Sequence, residues 1–425
     1  MSLRIRDLYG LEILDSRGRP TVAVRACLSN GATAWAHAPS GASTGRHEAV
    51  ELRDGDPLRY RGMGARKAAT NVGGEILNTL LGWEAEDQAG LDGAMIKLDS
   101  TPDKSRLGAN AILGVSCAVA RAVASARGIP LWQYLAGKRE PLFPVPMVNI
   151  FSGGLHAGGN LEFQDFLCIP HGFATYSEAL EAVVSVHSAA RAILEARGCR
   201  MTGVADEGGW GPPLESNEAA VSILTEAIGG AGFAPGGQLS IAIDVASSHF
   251  YKNGAYHLKS ENRRLNSEEM IEQLESWSDR YSVVSIEDGL HEDDWNGWRR
   301  MTARLGSSIQ VVGDDFFTTN PERVRRGIRE GAANAVLVKM NQIGTLTETF
   351  QVIDMAREAG WRAVVSARSG ETEDSFLADL AVASGAGQIK IGSITRSERL
   401  AKYNRLLEIE READLGYPGS AAIRG

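Results

Sequence analysis

Cysteine is scarce in this chain. Its four cysteines, Cys27, Cys117, Cys168 and Cys199, are scattered and form no CxxC pair. That spacing argues against a disulfide framework and a structural zinc site, and leaves buried free thiols as the expectation. Positive charge is also short: 44 Lys and Arg stand against 53 Asp and Glu, for a net charge of −9. A nucleic-acid binder needs a basic face, so that class is set aside. An anionic small substrate is not excluded, because local cations can outweigh the global sign. The N-terminal MSLRIRDLYG lacks the apolar core of a signal peptide, and no apolar run approaches the length of a membrane span. These absences give the expectation of a cytoplasmic protein with neither nucleic acid nor membrane as partner. What remains is ordinary globular composition, 43% apolar and 23% charged over 425 residues. That is enough for a barrel plus one smaller domain.

Residues 1 to about 60 alternate apolar and polar positions, as in TVAVRACL and ATAWAHA, and read as antiparallel strands. Residues 65–135 read as helices, among them the Ala-rich GANAILGVSCAVARAVASARG closed by Gly128. Strands followed by helices suggest an α+β domain. The proline-bearing EPLFPVPMVNI marks a boundary, giving domains 1–138 and 139–425. Beyond it strand and helix alternate. Asn320 before Pro321, and Asn266 with Glu269, are helix-start signals. The helical TETFQVIDMAREAG stops at Gly360. This repetition implies an α/β fold with a parallel sheet closed as a (β/α)8-like barrel.

The most informative feature lies in that second half. Six apolar runs, IAIDVA, VVSIEDG, IQVVGDD, AVLVKMNQ, RAVVSARSGE and GQIKIG, have the length and Val/Ile richness of buried parallel strands. They end in Asp244, Glu287, Asp314, Lys339, Arg368 and Lys390. Charges at the C-terminal ends of successive barrel strands converge on the mouth where such barrels carry active sites. Three carboxylates and two lysines there suggest a divalent metal beside an amine base. Solvation of a strand end accounts for one such charge, but not for six in register. The loop PSGASTG (residues 39–45) lacks the GK[ST] ending of a phosphate-binding loop and reads better as a flexible lid.

The motifs LDSRGRPT, PSGASTG, GANAILGVS, ADEGGWGP, SIEDG, GDDFFTTN, KMNQIGTLTET, RSGETED and RSERLAKYNRLLEIE together resemble the enolase family (phosphopyruvate hydratase). The resemblance covers nearly the whole chain; only the last fifteen or so residues look unrelated. It implies a small N-terminal α+β domain, a barrel opening with an antiparallel portion, and commonly a homodimer. It implies a lyase that takes a proton from C2 and hydroxide from C3 of a small phosphorylated hydroxy acid, with two Mg²⁺ ions offsetting the charge of the enediolate. Carried over by motif, Asp244, Glu287 and Asp314 hold the first magnesium and Ser43 the second. Lys339 is the general base, its pKa lowered by neighbouring cations. Glu207 is the general acid, with Asp165 assisting it. Lys390 and Gln164 face the substrate carboxylate side, and Arg368 and Ser369 hold the phosphate with His156 closing over it.

The chain departs from the family pattern at selected places. The family has SHRSGE where SARSGE stands here, so a histidine is replaced by Ala367. Asp165 replaces a glutamate, Leu155 replaces a glutamate, and Arg19 replaces an asparagine. The metal ligands, base and acid are kept. The pattern leads to the expectation of retained chemistry on a substrate with an altered phosphorus headgroup, phosphorylated or phosphonylated, with Leu155 and Ala367 making one wall of the site less polar. The expected likeness is to the carboxyphosphonoenolpyruvate synthases of phosphinic-acid antibiotic pathways. A plain glycolytic enolase and a non-catalytic binding protein are the alternatives.

Overall fold

A computed structural model describes residues 2–41 and 45–423. The alternating N-terminal stretches form β1 (Ile5–Leu14), β2 (Pro20–Leu28) and β3 (Thr33–His37), antiparallel in the order β1-β2-β3. The Ala-rich helix Ala109–Arg127 lies across this sheet and ends at Gly128 in the left-handed conformation, φ 66°. Small residues let it approach closely: a Cβ at Gly114 would sit 2.5 Å from Val24 Cγ2. Contrary to the expectation from the sequence, this helix is by length and composition apolar enough to span a membrane. Burial of 83% of its apolar window inside the protein accounts for that composition.

The second half is a closed barrel. Its strands are β4 (Val145–Ser152), β5 (Asp165–Pro170), β6 (Leu239–Asp244), β10 (Val283–Glu287), β11 (Gln310–Gly313), β12 (Ala335–Val338), β13 (Arg362–Ser366) and β14 (Gln388–Gly392). Between β6 and β10 a small sheet is inserted, made of β7 (Tyr251–Lys252), β8 (Ala255–Leu258) and β9 (Arg263–Leu265). The barrel order is β10-β11-β12-β13-β14-β4-β5-β6. β5 runs antiparallel to both of its neighbours, and the remaining pairs are parallel. The fold is therefore α/β, a closed barrel that opens with an antiparallel hairpin.

The helix-start signals are realised. Asn266 and Glu269 form a reciprocal capping box, and Asn320 caps the helix that Pro321 opens. The barrel interior is filled by Val145, Met147, Leu167, Ile169, Val312, Leu337 and Val364, together with Ala422 and Ile423 from the C-terminal segment. Gln310 Nε2 donates to the carbonyl of Ile423 at 3.0 Å. The C-terminal segment thus belongs to the barrel core, although the sequence set it apart.

Strand positions explain most of the charge pattern. Asp244 and Glu287 are the last residues of β6 and β10 and face each other in register. Asp314 and Lys339 follow β11 and β12 directly, and Arg368 stands just beyond β13. Lys390 is different: it lies in the middle of β14, not at its end. It occupies the layer above Gln388, on the same inward face.

Candidate active site

A small polar cavity opens at the C-terminal mouth of the barrel. It is lined by His156, Gln164, Asp165, Glu207, Asp244, Lys339, Ala367, Arg368, Ser369 and Lys390 among others. The structure thus brings together every candidate residue except Glu287 and Asp314, which lie directly behind two lysines, and Ser43, which falls outside the described residues.

Lysines and carboxylates pair on the barrel floor. Lys390 Nζ donates to Asp244 Oδ2 and to Glu287 Oε2, each at 2.7 Å. Lys339 Nζ pairs with Asp314 Oδ2, and Gln342 Nε2 donates to Asp314 Oδ1 at 2.9 Å. Gln164 Nε2 reaches Asp244 Oδ2 at 3.1 Å. Burial and the neighbouring Asp244 push Glu287 well above the usual carboxylate range, against the pull of Lys390. Burial would raise Asp314 too, but the adjacent Lys339 outweighs it and holds Asp314 low. The pKa of Lys339 is correspondingly raised: burial opposes its charge, yet Asp314 more than compensates. The lowered lysine pKa expected from the sequence is therefore not what this arrangement gives, because Lys339 has a carboxylate as direct partner.

The acidic residues fit a hard divalent cation. Glu287 Oε1 is a buried acceptor with no donor. Carboxylate oxygens are the donors that Mg²⁺ selects. Asp244, Glu287 and Asp314 do not themselves gather within 4.8 Å of one another; the group that does so at Asp314 is Asp288, Asp314 and Asp315. Asp288 is structurally committed, accepting from the backbone N–H groups of Asp314 and Asp315 at 2.9 and 2.7 Å.

Opposite the lysines, His156 stands between two carboxylates. Its Nδ1 lies 3.3 Å from Asp165 Oδ2 and its Nε2 lies 3.8 Å from Glu207 Oε1. Burial disfavours the imidazolium, but Glu207 and Asp165 overcome it and raise His156 to about 9. Glu207 is held below its usual range despite burial, by His156 and by Arg399, Lys390 and Lys339. The proton of the pair therefore resides on His156. On its other oxygen, Asp165 Oδ1 accepts from Asn149 and Ser152.

Arg368 and Ser369 form the remaining side. The Arg368 carbonyl accepts from Arg399 Nη1 at 2.7 Å and that of Ser369 from Arg399 Nη2 at 2.7 Å, so a fully buried arginine fixes this turn. Arg17 Nη1 donates to Ser369 Oγ at 3.1 Å. Glu48 from the N-terminal domain pairs with Arg368 at 2.9 Å. Ala367 is buried and lines the cavity. Leu155 does not form the expected apolar wall: it is 57% exposed and absent from the lining, because its short helical turn aims it outward. Arg19 is likewise exposed, and Arg17 is the arginine that reaches the site.

Sequence reasoning missed Arg17, Glu48, Gln342 and Arg399 as parts of this site. All four sit within or beside motif segments, DSRGRPT, PSGASTG, KMNQIG and RSERLAK. Proximity to those motifs was the available signal.

Residues 5–135 match the family model described as enolase, N-terminal domain, and residues 140–422 match enolase, C-terminal TIM barrel domain. The second match runs through most of the C-terminal segment that had looked unrelated. Members of that family are magnesium-dependent lyases in general. With a hairpin-opened barrel, carboxylates and lysines at its mouth, and both domain models covering nearly the entire length, the chain belongs to the enolase family.

Proposed function

We propose that this protein is a magnesium-dependent lyase that eliminates water from a 2-phosphoglycerate analogue with an altered phosphorus headgroup, such as carboxyphosphonoglycerate, giving carboxyphosphonoenolpyruvate. The observation that carries this reading is Ala367. It lines the same cavity as Arg368 and Glu207, and its methyl group offers no hydrogen bond. The groups that perform the elimination are kept around it.

In this reading Lys339 takes the C2 proton, and the C3 hydroxyl departs as water with the proton that the His156–Glu207 pair holds. The electrons of the broken C2–H bond become the C2–C3 double bond. Asp244, Glu287 and Asp314 would hold a divalent cation, which would supply electrostatic stabilisation of the negative charge that develops on the substrate carboxylate. Lys339 becomes a base only when Asp314 no longer neutralises it. Its other close charges include Arg368 and Lys390, both of which favour the neutral amine. Lys390 and Gln164 orient the carboxylate end, and Arg368, Ser369 and Arg17 hold the phosphorus oxygens. The second magnesium ligand Ser43 and a homodimer belong to the same reading.

A magnesium-dependent assay panel tests it. 2-Phosphoglycerate, a phosphonate analogue and a carboxyphosphono analogue are each followed by the absorbance of the enolpyruvate product. Preference for an analogue supports the reading. Preference for 2-phosphoglycerate returns the protein to plain enolase, and absence of turnover with all three points to a non-catalytic role.

A further inference from the structure

The Glu48 carboxylate sits in a cage of four donors. Arg368 Nη1 donates to Oε2 at 2.9 Å, and Arg368 Nη2 approaches Oε1 at 3.4 Å. Oε1 also accepts from the Gly45 backbone N–H at 2.9 Å and from Gln342 Nε2 at 3.3 Å. The Arg368 and Glu48 side chains are 3% and 5% exposed, so water screens the pair weakly. A guanidinium fork, a backbone N–H and an amide are the donors with which proteins hold phosphoryl groups. The cage is rigid on the barrel side. Arg399 fixes the Arg368 carbonyl, and Asn341 Oδ1 accepts from Arg368 Nη1 at 3.1 Å.

We infer that Glu48 is an internal stand-in for the substrate's phosphorus anion, and that an incoming phosphate or phosphonate group displaces it from Arg368. The inference rests on the reading of Arg368 as the anion-holding residue. Displacement has two consequences that the geometry supplies. The 45–48 segment, tied to the Arg368 turn through the Glu48 carboxylate, is released from it. Gln342 Nε2, which also donates to Asp314 Oδ1 at 2.9 Å, is left with Asp314 alone. Filling the anion subsite is thereby communicated to the Asp314–Lys339 pair through one amide. Glu48 acts as a positioning and selectivity residue: an anion must outcompete a carboxylate to enter. A dianionic headgroup does so more readily than a second carboxylate would.

Inorganic phosphate is the probe, titrated calorimetrically in magnesium-containing buffer into the parental protein, Glu48→Gln and Arg368→Gln. Amide deuterium uptake at residues 45–49 is read in parallel. Removing the competing charge while keeping the side-chain shape should tighten phosphate binding about tenfold, the gain expected when a binding-competent arrangement rises from a tenth of the population to nearly all of it. In the parental protein phosphate should increase uptake at the Gly45 amide. Unchanged or weaker binding by Glu48→Gln, or phosphate-induced protection of Gly45, overturns the stand-in role. The deuterium readout decides the matter alone if Glu48→Gln fails to fold. Parental phosphate affinity in Arg368→Gln instead removes the reading of Arg368 on which the inference rests, whatever Glu48 does.

Discussion

Lys390 Nζ lies 2.7 Å from Asp244 Oδ2 and 2.7 Å from Glu287 Oε2, so one buried ammonium bridges two carboxylates on adjacent strands. Each carboxylate ends its strand, and the two are register partners across a parallel ladder. Two negative charges that close cost free energy in a dry interior unless a cation lies between them.

Replacing that lysine therefore exposes the repulsion. Lys390→Met should lose about 3–5 kcal/mol, the usual penalty for removing one partner of a buried ion pair. Magnesium should recover part of the loss, because a cation that binds only the folded state stabilises it. Urea denaturation with and without Mg²⁺ checks this. Equal stability of variant and parent, with no magnesium response, would contradict it.

Lys339 is the expected base, and its pairing with Asp314 defines its resting charge. Lys339→Ala should slow exchange of the substrate's C2 proton with D₂O by about 10²–10⁴, the range for loss of a positioned acid–base group. Substrate binding should persist. Exchange at the parental rate would assign the base elsewhere.

His156 gives a pH signature. Its pKa is raised from 6.5 to about 9, because Glu207 and Asp165 outweigh burial. A raised pKa contributes stability that is fully present below the unfolded value and is lost as pH climbs through the folded one. The stability of the parent should therefore decline between about pH 6.5 and 9 more steeply than that of His156→Gln. The difference in urea midpoint between the two proteins across that window is the measurement. Parallel profiles would show that the imidazole carries no such charge.

The barrel was legible because its strands are short apolar runs with charges in step, a pattern that parallel burial imposes. A lysine between Ile389 and Ile391 reads as a buried strand residue in need of a partner, and the bridge to Asp244 and Glu287 supplies one; only its position in the middle of the strand rather than at its end was not legible. Leu155 was misassigned because a glycine-flanked turn carries no periodicity to set its direction. Only nearness to the motifs pointed to Glu48 and Arg399, since the partners that make them site residues lie 320 and 31 positions away in sequence. The direction of the Lys339 shift was also out of reach, because it depends on which charge touches the ammonium rather than on how many stand near.

Ala367 is where the account is most directly tested, by kcat/KM for 2-phosphoglycerate and for a carboxyphosphono analogue in the parental protein and in Ala367→His. The parental chain should favour the analogue and turn over 2-phosphoglycerate about 10²–10³ below a common enzyme efficiency, the cost of one missing preorganised polar group. Ala367→His should raise activity on 2-phosphoglycerate in part, since Asp165 also differs, and should lower activity on the analogue by filling the space beside Arg368. Parental turnover of 2-phosphoglycerate at about 10⁴ M⁻¹s⁻¹ or better, with rejection of the analogue, would contradict the altered-substrate account and leave a plain enolase that tolerates alanine at this position.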